Sequence, residues 1–512
     1  MLHPGYDSSH RSGEKTGDIM LITAINATNL TDAKQLIQQS LNLTDGIELR
    51  LDYWQELNLN HIKELRKLFT LPMIFTLRKK SQGGLYEKDE NTRLVDILAL
   101  CELNPNYIDL EDDVPLDFVE KINCTFPSIK IISSHHNFKQ TPDDLNAVLN
   151  KMINPFTSIY KIAAQAHSAT DMLKMLLFIK ENKQRHKISG MSMGEFGTAT
   201  RIIAPIIGSE LSYASVTNNQ ATAPGQLTLQ ELNEIYHYRQ LNQDTCIYAL
   251  LGDPVSKSIG HLWHNKAFNL LDKNAVYIKI RTLADEVVQV LQKCRQLPFS
   301  GFSVTMPLKE LVFPAIDQIE LDAKAIGAIN SIVLENNHLY GFNTDGVAAI
   351  DALMQFLPEI KRKKIVILGA GGAARALIYI AKQRGADVII LNRTFDKAKI
   401  LAHEFNCKAI QLEKLNEIKI QGYDAIINTL PYSAQENEAA LFKLDNFIAN
   451  TVAMDIVYNP AETPFLKLAK QAGCRCVFGY EMFNRQAILQ EKRWFNLMPQ
   501  EVNSMGALNF NL

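Results

Sequence analysis

Short apolar runs alternate with amphipathic segments of helical period through the first half of the chain. Eight such runs lie between residues 19 and 240: IMLITAI, DGIELRLD, LPMIFTLR, YIDLE, IKIISSH, SIYKIAA, KISGMSM and ELSYAS. Runs of this length separated by helical segments are typical of strands in βαβ units. The pattern predicts a (β/α)8 barrel over residues 19–240, with its chemistry at the carboxyl ends of the strands.

The pattern lapses into a polar linker, YRQLNQDT, at residues 238–245, and a new strand, CIYAL, begins at residue 246. A second α/β region then predicts a substrate-binding domain over residues 246–357. Residues 358–512 predict a Rossmann-type nucleotide-binding domain whose last helix returns to the substrate domain. The polar segment MLHPGYDSSHRSGEKTGD lacks an apolar core, so residues 1–18 are expected to be a disordered leader.

A glycine turn between two apolar runs, KKIVILGAGGAARALIYIAKQRGADVIILNRT, indicates a dinucleotide site. Strand, turn, helix and strand follow in order, and glycines let backbone N–H groups approach a pyrophosphate at the helix N-terminus. The expected contacts are Gly369, Ala370, Gly371, Gly372 and Ala373.

The end of the second strand of this unit bears on which cofactor binds. An NAD site usually places an acid there for the ribose 2′-hydroxyl. This chain has Asn392, Arg393 and Thr394 instead, with Lys397 one turn later. A basic terminus without an acid accommodates a 2′-phosphate, so NADP(H) is the predicted cofactor.

Composition narrows the classes of partner. A length of 512 residues implies two or more domains, and a net charge of −2 favours neither nucleic acid nor an anionic membrane. No apolar stretch approaches the ~20 residues that span a bilayer. The seven cysteines are scattered, which fits a reducing, cytoplasmic location. No metal site is predicted, because Cys474 and Cys476 lack a second ligand pair and His261 and His264 lack a third ligand. Small molecules are the expected partners.

Lys161 stands in an apolar run, SIYKIAAQA. Such a setting disfavours the charged ammonium and makes the amine nucleophilic toward a carbonyl. Taken alone, a lysine that snorkels from a strand end is the simpler interpretation. Further ionisable residues inside or just after the strands favour a catalytic site; they are Glu48, Arg50, Asp52, Arg78, His136 and Arg201.

The segments DGIELRLD, FTLRKKSQGG, SSHHNF, IYKIA, MGEFGTATR and ATAPGQ resemble, in order and spacing, the type I 3-dehydroquinate dehydratases. The resemblance implies that Lys161 forms a Schiff base with the ring ketone. His136 would remove the adjacent proton and then protonate the departing hydroxyl. Arg201 would pair with the substrate carboxylate. The remaining implied substrate contacts are Glu48, Arg50, Arg78, Thr222 and Gln226.

This segment departs from the family at two positions. Gln82 stands where an acid commonly orients the histidine, and a neutral amide cannot raise its basicity as a carboxylate would. Thr222 replaces a serine but keeps the hydroxyl. His135 alternates to the opposite strand face from His136, so a structural role is expected for it.

The second half resembles shikimate dehydrogenase through GDPVSKSIGHLWHN, GFSVTMPLKE, AIGAINS, GFNTDG, DIVYNPAETP and GYEMFNRQA. The resemblance implies that Lys309 and Asp345 are the catalytic pair beside the hydride-transfer carbon, where alkoxide charge develops. Singly, Lys309 fits a helix cap and Asp345 an ordinary turn. The implied substrate contacts are Ser258, Thr305, Asn330, Tyr458 and Gln486, and the implied nicotinamide contacts are Gly479 and Met482.

Here too there are departures. Gly260 stands where the family has a second serine, with His261 where proline is common. Ser303 replaces an asparagine, and Leu430 removes a hydroxyl beside the cofactor. Weaker carboxylate binding, or a donor from elsewhere, is expected.

Together the two resemblances imply consecutive steps of aromatic precursor biosynthesis in one chain. The resulting hypothesis is a bifunctional, NADPH-dependent 3-dehydroquinate dehydratase and shikimate dehydrogenase. Two alternatives remain open. The second half could be a quinate dehydrogenase, which the loop from Ser258 to Gly260 permits and Arg393 argues against. The chain could also be a ligand-sensing regulator, although the residues implied to be catalytic are all present.

Overall fold

The computed structural model describes residues 20–431 and 442–505, and the predicted leader at residues 1–18 lies outside them. The chain divides into two compact units whose main boundary lies between Gln243 and Asp244, and the short segment Ser168–Leu173 groups with the second unit. Within the described ranges, every helix is too short or too polar to cross a bilayer.

The first unit is an eight-stranded parallel barrel, and each of the eight predicted runs forms one strand. The sheet order is β7-β6-β5-β4-β3-β2-β1-β8, and the backbone N–H of Glu210 donates to the carbonyl of Ile188 at 2.7 Å where β8 approaches β7. The strands are β1 (Met20–Ile25), β2 (Gly46–Arg50), β3 (Met73–Thr76), β4 (Tyr107–Glu111), β5 (Lys130–Asn137), β6 (Thr157–Gln165), β7 (Ile188–Met193) and β8 (Leu211–Ala214). The α-helices are Leu30–Ser40, Leu59–Leu68, Glu90–Cys101, Leu116–Thr125, Leu145–Met152, Ala169–Asn182, Thr198–Ile207 and Leu229–Glu234.

Alternation along the strands separates the barrel interior from its helical coat. Ile22, Ile74 and Ile132, one each from β1, β3 and β5, belong to an inner cluster made almost entirely of strand residues. Ile47 and Phe75 pack instead with helix residues in a second cluster. A barrel interior filled from alternate strands is the packing expected for this fold, so the prediction of a (β/α)8 barrel is confirmed.

The second unit begins with a mixed sheet of order β10-β9-β11-β13-β14-β12. Its strands are β9 (Cys246–Gly252), β10 (Ala275–Arg281), β11 (Phe299–Val304), β12 (Gln318–Ile319), β13 (Ser331–Glu335) and β14 (His338–Phe342). Its helices are Gly260–Leu270, Val287–Cys294, Leu321–Ile326 and Asp345–Met354. β13 pairs antiparallel with both β11 and β14, and Ser331 lies opposite Ser303 on one side and Phe342 on the other. The end of β11 that leads to Lys309 and the end of β14 that leads to Asp345 therefore lie at the same edge of the sheet.

The rest of the second unit is an all-parallel sheet of order β17-β16-β15-β18-β19-β20, the 3-2-1-4-5-6 order of dinucleotide-binding folds. Its strands are β15 (Lys364–Leu368), β16 (Asp387–Asn392), β17 (Lys408–Gln411), β18 (Ala425–Asn428), β19 (Val452–Asp455) and β20 (Arg475–Val477). The helices described here are Gly372–Gln383, Phe395–Glu404, Leu415–Gln421, Pro464–Gln471, Gly479–Phe495 and Pro499–Met505.

The β15 side chains show how this sheet is buried on both faces. Ile365 and Ile367 belong to one apolar cluster, and Val366 and Leu368 belong to another. Because the side chains on both faces of β15 are buried, the strand needs a continuous apolar run rather than an alternating one. This is typical of parallel sheets that are covered by helices on both faces. The predicted Rossmann-type fold is confirmed.

Candidate active sites

One cavity at the carboxyl ends of the barrel strands collects every residue that the sequence predicted for the first site. Their side chains come from separate strands and from the loops and helix that follow them. The residues concerned are Glu48, Arg50, Arg78, His136, Lys161, Arg201, Thr222 and Gln226, and Gln82 and Tyr213 share the lining.

Lys161 is buried at the centre of this cavity, but the expectation of an apolar setting is wrong. Its Nζ lies 3.1 Å from Asp109 Oδ2 and 3.3 Å from Glu48 Oε1. The ammonium also sits 4.1 Å from the centroid of the Tyr213 ring. The lysine is therefore held by two carboxylates and a ring face, in a geometry that keeps its nitrogen directed into the cavity.

Asp109 is a site residue that the sequence reasoning missed. Its carboxylate bridges Lys161 and Arg78 Nη2, which is 2.9 Å away, and accepts from Ser134 Oγ at 2.6 Å. Burial alone would raise its pKa, but the charges of Arg78 and Lys161 prevail and hold the pKa of Asp109 well below its usual value. An ionisable residue inside the apolar run YIDLE was the available signal, the same signal that identified Lys161.

His136 lies at the same end of the barrel with a strongly perturbed ring. Burial, together with the positive charges of Arg78 and Lys161, holds the pKa of His136 well below 6.5. Its Nδ1 is buried without a hydrogen-bond partner among the described residues, and the ring stacks on Phe138 at 6.2 Å. A neutral imidazole with an unused nitrogen is suited to accepting a proton from a ligand.

Gln82 contacts the backbone of His136 rather than its ring. Its Oε1 accepts from the His136 N–H at 3.2 Å, and its Nε2 donates to Asp112 Oδ1 at 3.2 Å. The neighbouring His135 contacts Asp112 Oδ2 at 2.9 Å through Nδ1. The amide thus anchors the end of β5, while His135 belongs to this flanking network.

Arg201 is a buried cation without an anion. It is 2% exposed, its Nε and Nη2 have no partner among the described residues, and Nη1 reaches only the sulfur of Met191 at 3.8 Å. Burial lowers the pKa of Arg201 to about 10. Buried charges are normally paired, so this guanidinium is matched to an anion that enters the cavity.

The closing loop carries the last two predicted residues of the barrel site. Gln226 Oε1 accepts from the backbone N–H of Thr222 at 2.7 Å and from its hydroxyl at 3.1 Å. Each residue therefore fixes the other at the rim of the cavity.

Lys309 and Asp345 meet in the second unit, with Nζ 2.5 Å from Oδ2. Asn330 Nδ2 donates to the other oxygen of Asp345 at 2.7 Å and to Thr344 Oγ1 at 2.9 Å. Both hydrogens of the Asn330 amide are therefore used within the protein. In this arrangement Asn330 orients Asp345, and the substrate contact that the sequence resemblance implied for Asn330 stays a prediction.

The glycine turn lies beside this pair and fits a dinucleotide. Gly369 has φ of +118°, and a Cβ there would lie 2.3 Å from Thr429 Oγ1, so only glycine is tolerated. A Cβ on Gly371 would meet nothing within 4 Å, and no side chain caps the helix that begins at Gly372. Open space and uncapped N–H groups at a helix N-terminus suit a pyrophosphate. A Cβ on Gly372 would lie 3.4 Å from side-chain atoms of Lys309, so the glycine turn adjoins the pair of Lys309 and Asp345. Ala370 and Ala373 fill the remaining turn positions.

The basic terminus after β16 has its charged groups at the surface. Asn392 is buried and donates from Nδ2 to the carbonyl of Thr394 at 2.9 Å. Arg393 and Lys397 are exposed, without an ion pair among the described residues. The loop after β16 therefore presents two cations, unpaired among the described residues, at the carboxyl end of that strand. β16 lies next to β15, the strand that leads into the glycine turn.

The other predicted residues of the second site are distributed around the two sheets. Ser258 Oγ accepts from the Gly260 N–H at 3.2 Å and is hydrogen-bonded to Tyr458. Thr305 and Gln486 are half-buried. A Cβ on Gly479 would lie 2.2 Å from the Val457 carbonyl, which explains glycine there. Met482 packs within an apolar cluster of the Rossmann-type domain.

These features define a class of protein: a bifunctional enzyme with one site in an α/β barrel and another in a Rossmann-type dehydrogenase. Residues 21–243 match the family model for type I 3-dehydroquinase. Residues 250–332 match the shikimate dehydrogenase substrate binding domain, and residues 351–443 match shikimate / quinate 5-dehydrogenase.

Whole-length relatives identify the family. The shikimate biosynthesis protein AroDE of Chlamydia pneumoniae is 36% identical over 492 residues, 95% of this chain and 98% of that protein. The chloroplastic bifunctional 3-dehydroquinate dehydratase/shikimate dehydrogenase of Arabidopsis thaliana is 35% identical over 467 residues, 87% of this chain and 77% of that protein. A shikimate dehydrogenase (NADP(+)) of Carboxydothermus hydrogenoformans is 36% identical over 266 residues, 51% of this chain and 95% of that protein. The chain belongs to the bifunctional 3-dehydroquinate dehydratase/shikimate dehydrogenase family, and both resemblances are confirmed.

Proposed function

We propose that the barrel dehydrates 3-dehydroquinate to 3-dehydroshikimate and that the second unit reduces this product to shikimate with NADPH. The observation that carries the proposal is that one cavity contains both Lys161, which is held between two carboxylates, and Arg201, a buried cation without an anionic partner among the described residues. A keto acid carries both groups that this cavity needs, a carbonyl for the amine and a carboxylate for the guanidinium. Family membership supports the order of the two reactions.

In the proposed first reaction Lys161 loses a proton and its nitrogen attacks the ring ketone, with loss of water, to form a protonated Schiff base. Glu48, 3.3 Å from the ammonium, is within reach to take that proton. The iminium withdraws electrons and acidifies the adjacent C–H. His136 removes this proton and returns it to the departing hydroxyl, which leaves as water. Hydrolysis of the iminium releases product and restores the amine.

In this first site the other predicted residues bind rather than react. Arg201 pairs with the substrate carboxylate, and Thr222 and Gln226 close the rim over it. Arg50 is held by two bonds to Asp52, at 2.9 and 2.8 Å, and Arg78 by Asp109. Both guanidiniums are therefore fixed in place to meet ring hydroxyls without reorganisation.

In the proposed second reaction Lys309 supplies the proton that the ketone oxygen needs as it becomes an alcohol. An ammonium has three hydrogens, and Asp345 takes one of them, so the others are available to the substrate. Asp345 holds the ammonium in place and is itself held by Asn330. Ser258, Tyr458, Thr305 and Gln486 are the proposed contacts to the substrate carboxylate and hydroxyls.

We propose that the glycine turn and the loop after β16 bind NADP(H), which supplies the hydride when bound. Gly369, Ala370, Gly371, Gly372 and Ala373 would hold the pyrophosphate. Asn392, Arg393, Thr394 and Lys397 would hold the 2′-phosphate, and Gly479 and Met482 would line the nicotinamide pocket. The uncapped helix at Gly372 and the unpaired Arg393 support this assignment.

The domain limits proposed from the sequence are 19–240 for the dehydratase, 246–357 for substrate binding by the dehydrogenase and 358–512 for the cofactor. All seven cysteines are free, which supports a reducing compartment, and we propose the cytoplasm.

The dehydratase is tested by borohydride trapping with 3-dehydroquinate and peptide mass analysis. The expected result is a label on Lys161 in the wild type and none in Lys161→Ala. Lys187→Ala is the matched control, because that lysine is exposed, 3.6 Å from Glu210 in an ordinary surface pair, and should label as the wild type does. Labelling of Lys161→Ala would refute the assigned Schiff base.

The dehydrogenase is tested by NADPH oxidation with 3-dehydroshikimate, and by cofactor reduction with shikimate or quinate using NADP+ or NAD+. Shikimate with NADP+ is expected to give the highest kcat/KM. Preference for quinate with NAD+ would establish the alternative of a quinate dehydrogenase. Absence of turnover with every pair at saturating enzyme would favour the ligand-sensing regulator.

A further inference from the structure

Gln490 is a buried polar residue that the proposed mechanism does not use. It lies on helix Gly479–Phe495, one turn beyond the predicted substrate contact Gln486, and is 1% exposed. Its Oε1 accepts from Ser303 Oγ at 3.0 Å. Its Nε2 donates to Ser331 Oγ at 2.7 Å and to the backbone carbonyl of Asn330 at 3.4 Å. These three bonds join the amide to the β11 and β13 segments, and the buried His264 is a further hydrogen-bond partner of Gln490.

The direction of each hydrogen bond in this cluster follows from its neighbours. The backbone N–H of Thr344 donates to Asn330 Oδ1 at 2.9 Å, so the amide nitrogen of Asn330 must face Asp345. Ser331 Oγ donates its single hydrogen to the same Asn330 oxygen at 2.7 Å and can therefore only accept from Gln490. A defined series of donors thus runs from Gln490 through Ser331 to Asn330, whose amide nitrogen then donates to Asp345.

Gln490 also ties together the two chain segments that supply the catalytic pair. Ser303 on β11 and Ser331 on β13 are direct partners across the antiparallel ladder, and one amide contacts both hydroxyls. β11 leads to Lys309, whereas Asn330 immediately precedes β13 and holds Asp345. One amide on a third element therefore contacts both the strand that leads to Lys309 and the segment that holds Asp345.

We propose that Gln490 is a positioning residue for the dehydrogenase: it holds Asn330, and through Asn330 the carboxylate of Asp345, in register with Lys309. This proposal rests on the proposed function of the second site. The contacts of Gln490 to Ser303, Ser331 and Asn330 are all to protein atoms, so its proposed role is exercised through Asn330. A misplacement of the catalytic pair affects the chemical step more than the binding of either ligand.

Two substitutions separate hydrogen bonding from space filling. Gln490→Met keeps the length of the side chain and removes its bonds to Ser303, Ser331 and Asn330, and Gln490→Glu keeps the shape but, when ionised, has no hydrogen to donate to Ser331. Both variants are expected to lower kcat of the dehydrogenase about tenfold. This is the effect on the rate of losing about one buried hydrogen bond that aligns the catalytic pair. KM for NADPH should stay within about twofold, and the primary isotope effect on kcat with 4-deuterated NADPH should rise.

The controls use the same polypeptide. The dehydratase rate of each variant is expected to stay within about twofold of wild type, because its residues lie in the other unit. Trp494→Phe removes the 3.1 Å bond from the same helix to the Ile332 carbonyl on β13, without touching Asn330. It should leave dehydrogenase kcat and the isotope effect unchanged. An equal loss in Trp494→Phe, or an unchanged kcat in Gln490→Met, would overturn the proposal.

A crystal structure of Gln490→Met decides the proposal independently of the reaction. Asn330 Nδ2 is expected to leave Asp345 Oδ1, from which it is 2.7 Å away in the wild type. An unmoved Asn330 and Asp345 would overturn the positioning role even if the wild type reduced another substrate. If the wild type fails to turn over 3-dehydroshikimate with NADPH, the proposed function is refuted instead. The crystal structure tests the positioning role without any measurement of activity, so the two failures can be told apart.

Discussion

Replacing Arg201 by methionine should stabilise the empty barrel while abolishing its ability to bind the substrate carboxylate. The guanidinium is buried without a counter-charge among the described residues, and burial lowers its pKa to about 10. Because each pKa unit is about 1.36 kcal/mol, this lowering costs the folded barrel about 3 kcal/mol. The lowered pKa belongs to a base, so the cost is present in full at every pH below about 10 and declines as the pH rises above that value.

The same substitution at Arg78 provides a control of opposite sign. Arg78 lines the same cavity and is 3% exposed, but it lies 2.9 Å from Asp109 and 3.7 Å from Glu111. Arg78→Met would leave two buried carboxylates short of a partner, which costs about 3–5 kcal/mol when a buried pair is broken. One substitution should therefore stabilise the barrel and the other destabilise it, although both remove a buried guanidinium.

Hydrogen exchange at pH 7, followed by mass spectrometry on peptides from β2, β4 and β6, measures the free energy of unfolding of the barrel in the whole chain. We expect Arg201→Met to raise this free energy by about 1–3 kcal/mol. Adding 3-dehydroshikimate should increase protection in wild type and not in Arg201→Met. If Arg201→Met lowers the free energy of unfolding as Arg78→Met does, the reasoning from the unpaired cation is refuted.

Three further predictions concern the base, the phosphate contact and the glycine turn. Because His136 has a pKa well below 6.5, it stays neutral on acidification, and the acid limb of the dehydratase kcat/KM profile should lie below pH 6.5; a midpoint above that value would contradict the assignment. Arg393→Ala should weaken NADPH binding at least about tenfold in titrations and should change NADH binding little. Lys399→Ala, which removes an exposed lysine paired with Asp396, should change the binding of neither cofactor. Equal losses of affinity for both cofactors in Arg393→Ala would exclude a phosphate contact. Gly369→Ala should destabilise the second unit in denaturant unfolding, whereas Gly371→Ala, with nothing within 4 Å, should fold normally and bind NADPH more weakly; normal folding of both would contradict the steric argument.

Local patterns were sufficient to find the elements of this protein. Each of the eight apolar runs became a barrel strand, because a short apolar run bounded by turns has the length and composition of a strand that is buried on both faces. The glycine turn could also be predicted from the sequence. The positive φ of Gly369 and its close approach to Thr429 require glycine at that one position, so the requirement shows in the sequence. The families followed from short motifs of this kind.

Side-chain environments were harder to infer. Lys161 stands among apolar neighbours in sequence, yet its spatial neighbours are Glu48, 113 positions away, and Asp109, 52 positions away. The inference of an apolar setting failed because the alternation of a strand describes only its own two faces. Asp109 shows the same limit: its position inside the apolar run YIDLE was a signal of a site residue, but the run does not indicate that its carboxylate bridges Arg78 and Lys161.

The sequence by itself determined the strands, the glycine turn, the residue types of both sites and the families to which they belong, because these depend on local periodicity and on motifs of a few residues. Only the tertiary structure decided which charges are paired. Among the described residues, Arg78 contacts two carboxylates and Arg201 contacts none, although both are arginines in or beside apolar segments. Gln490 acquires its proposed role from Ser303, 187 positions away. Electrostatic and hydrogen-bond energies depend on distances of a few ångströms between such remote residues, and folding alone sets those distances.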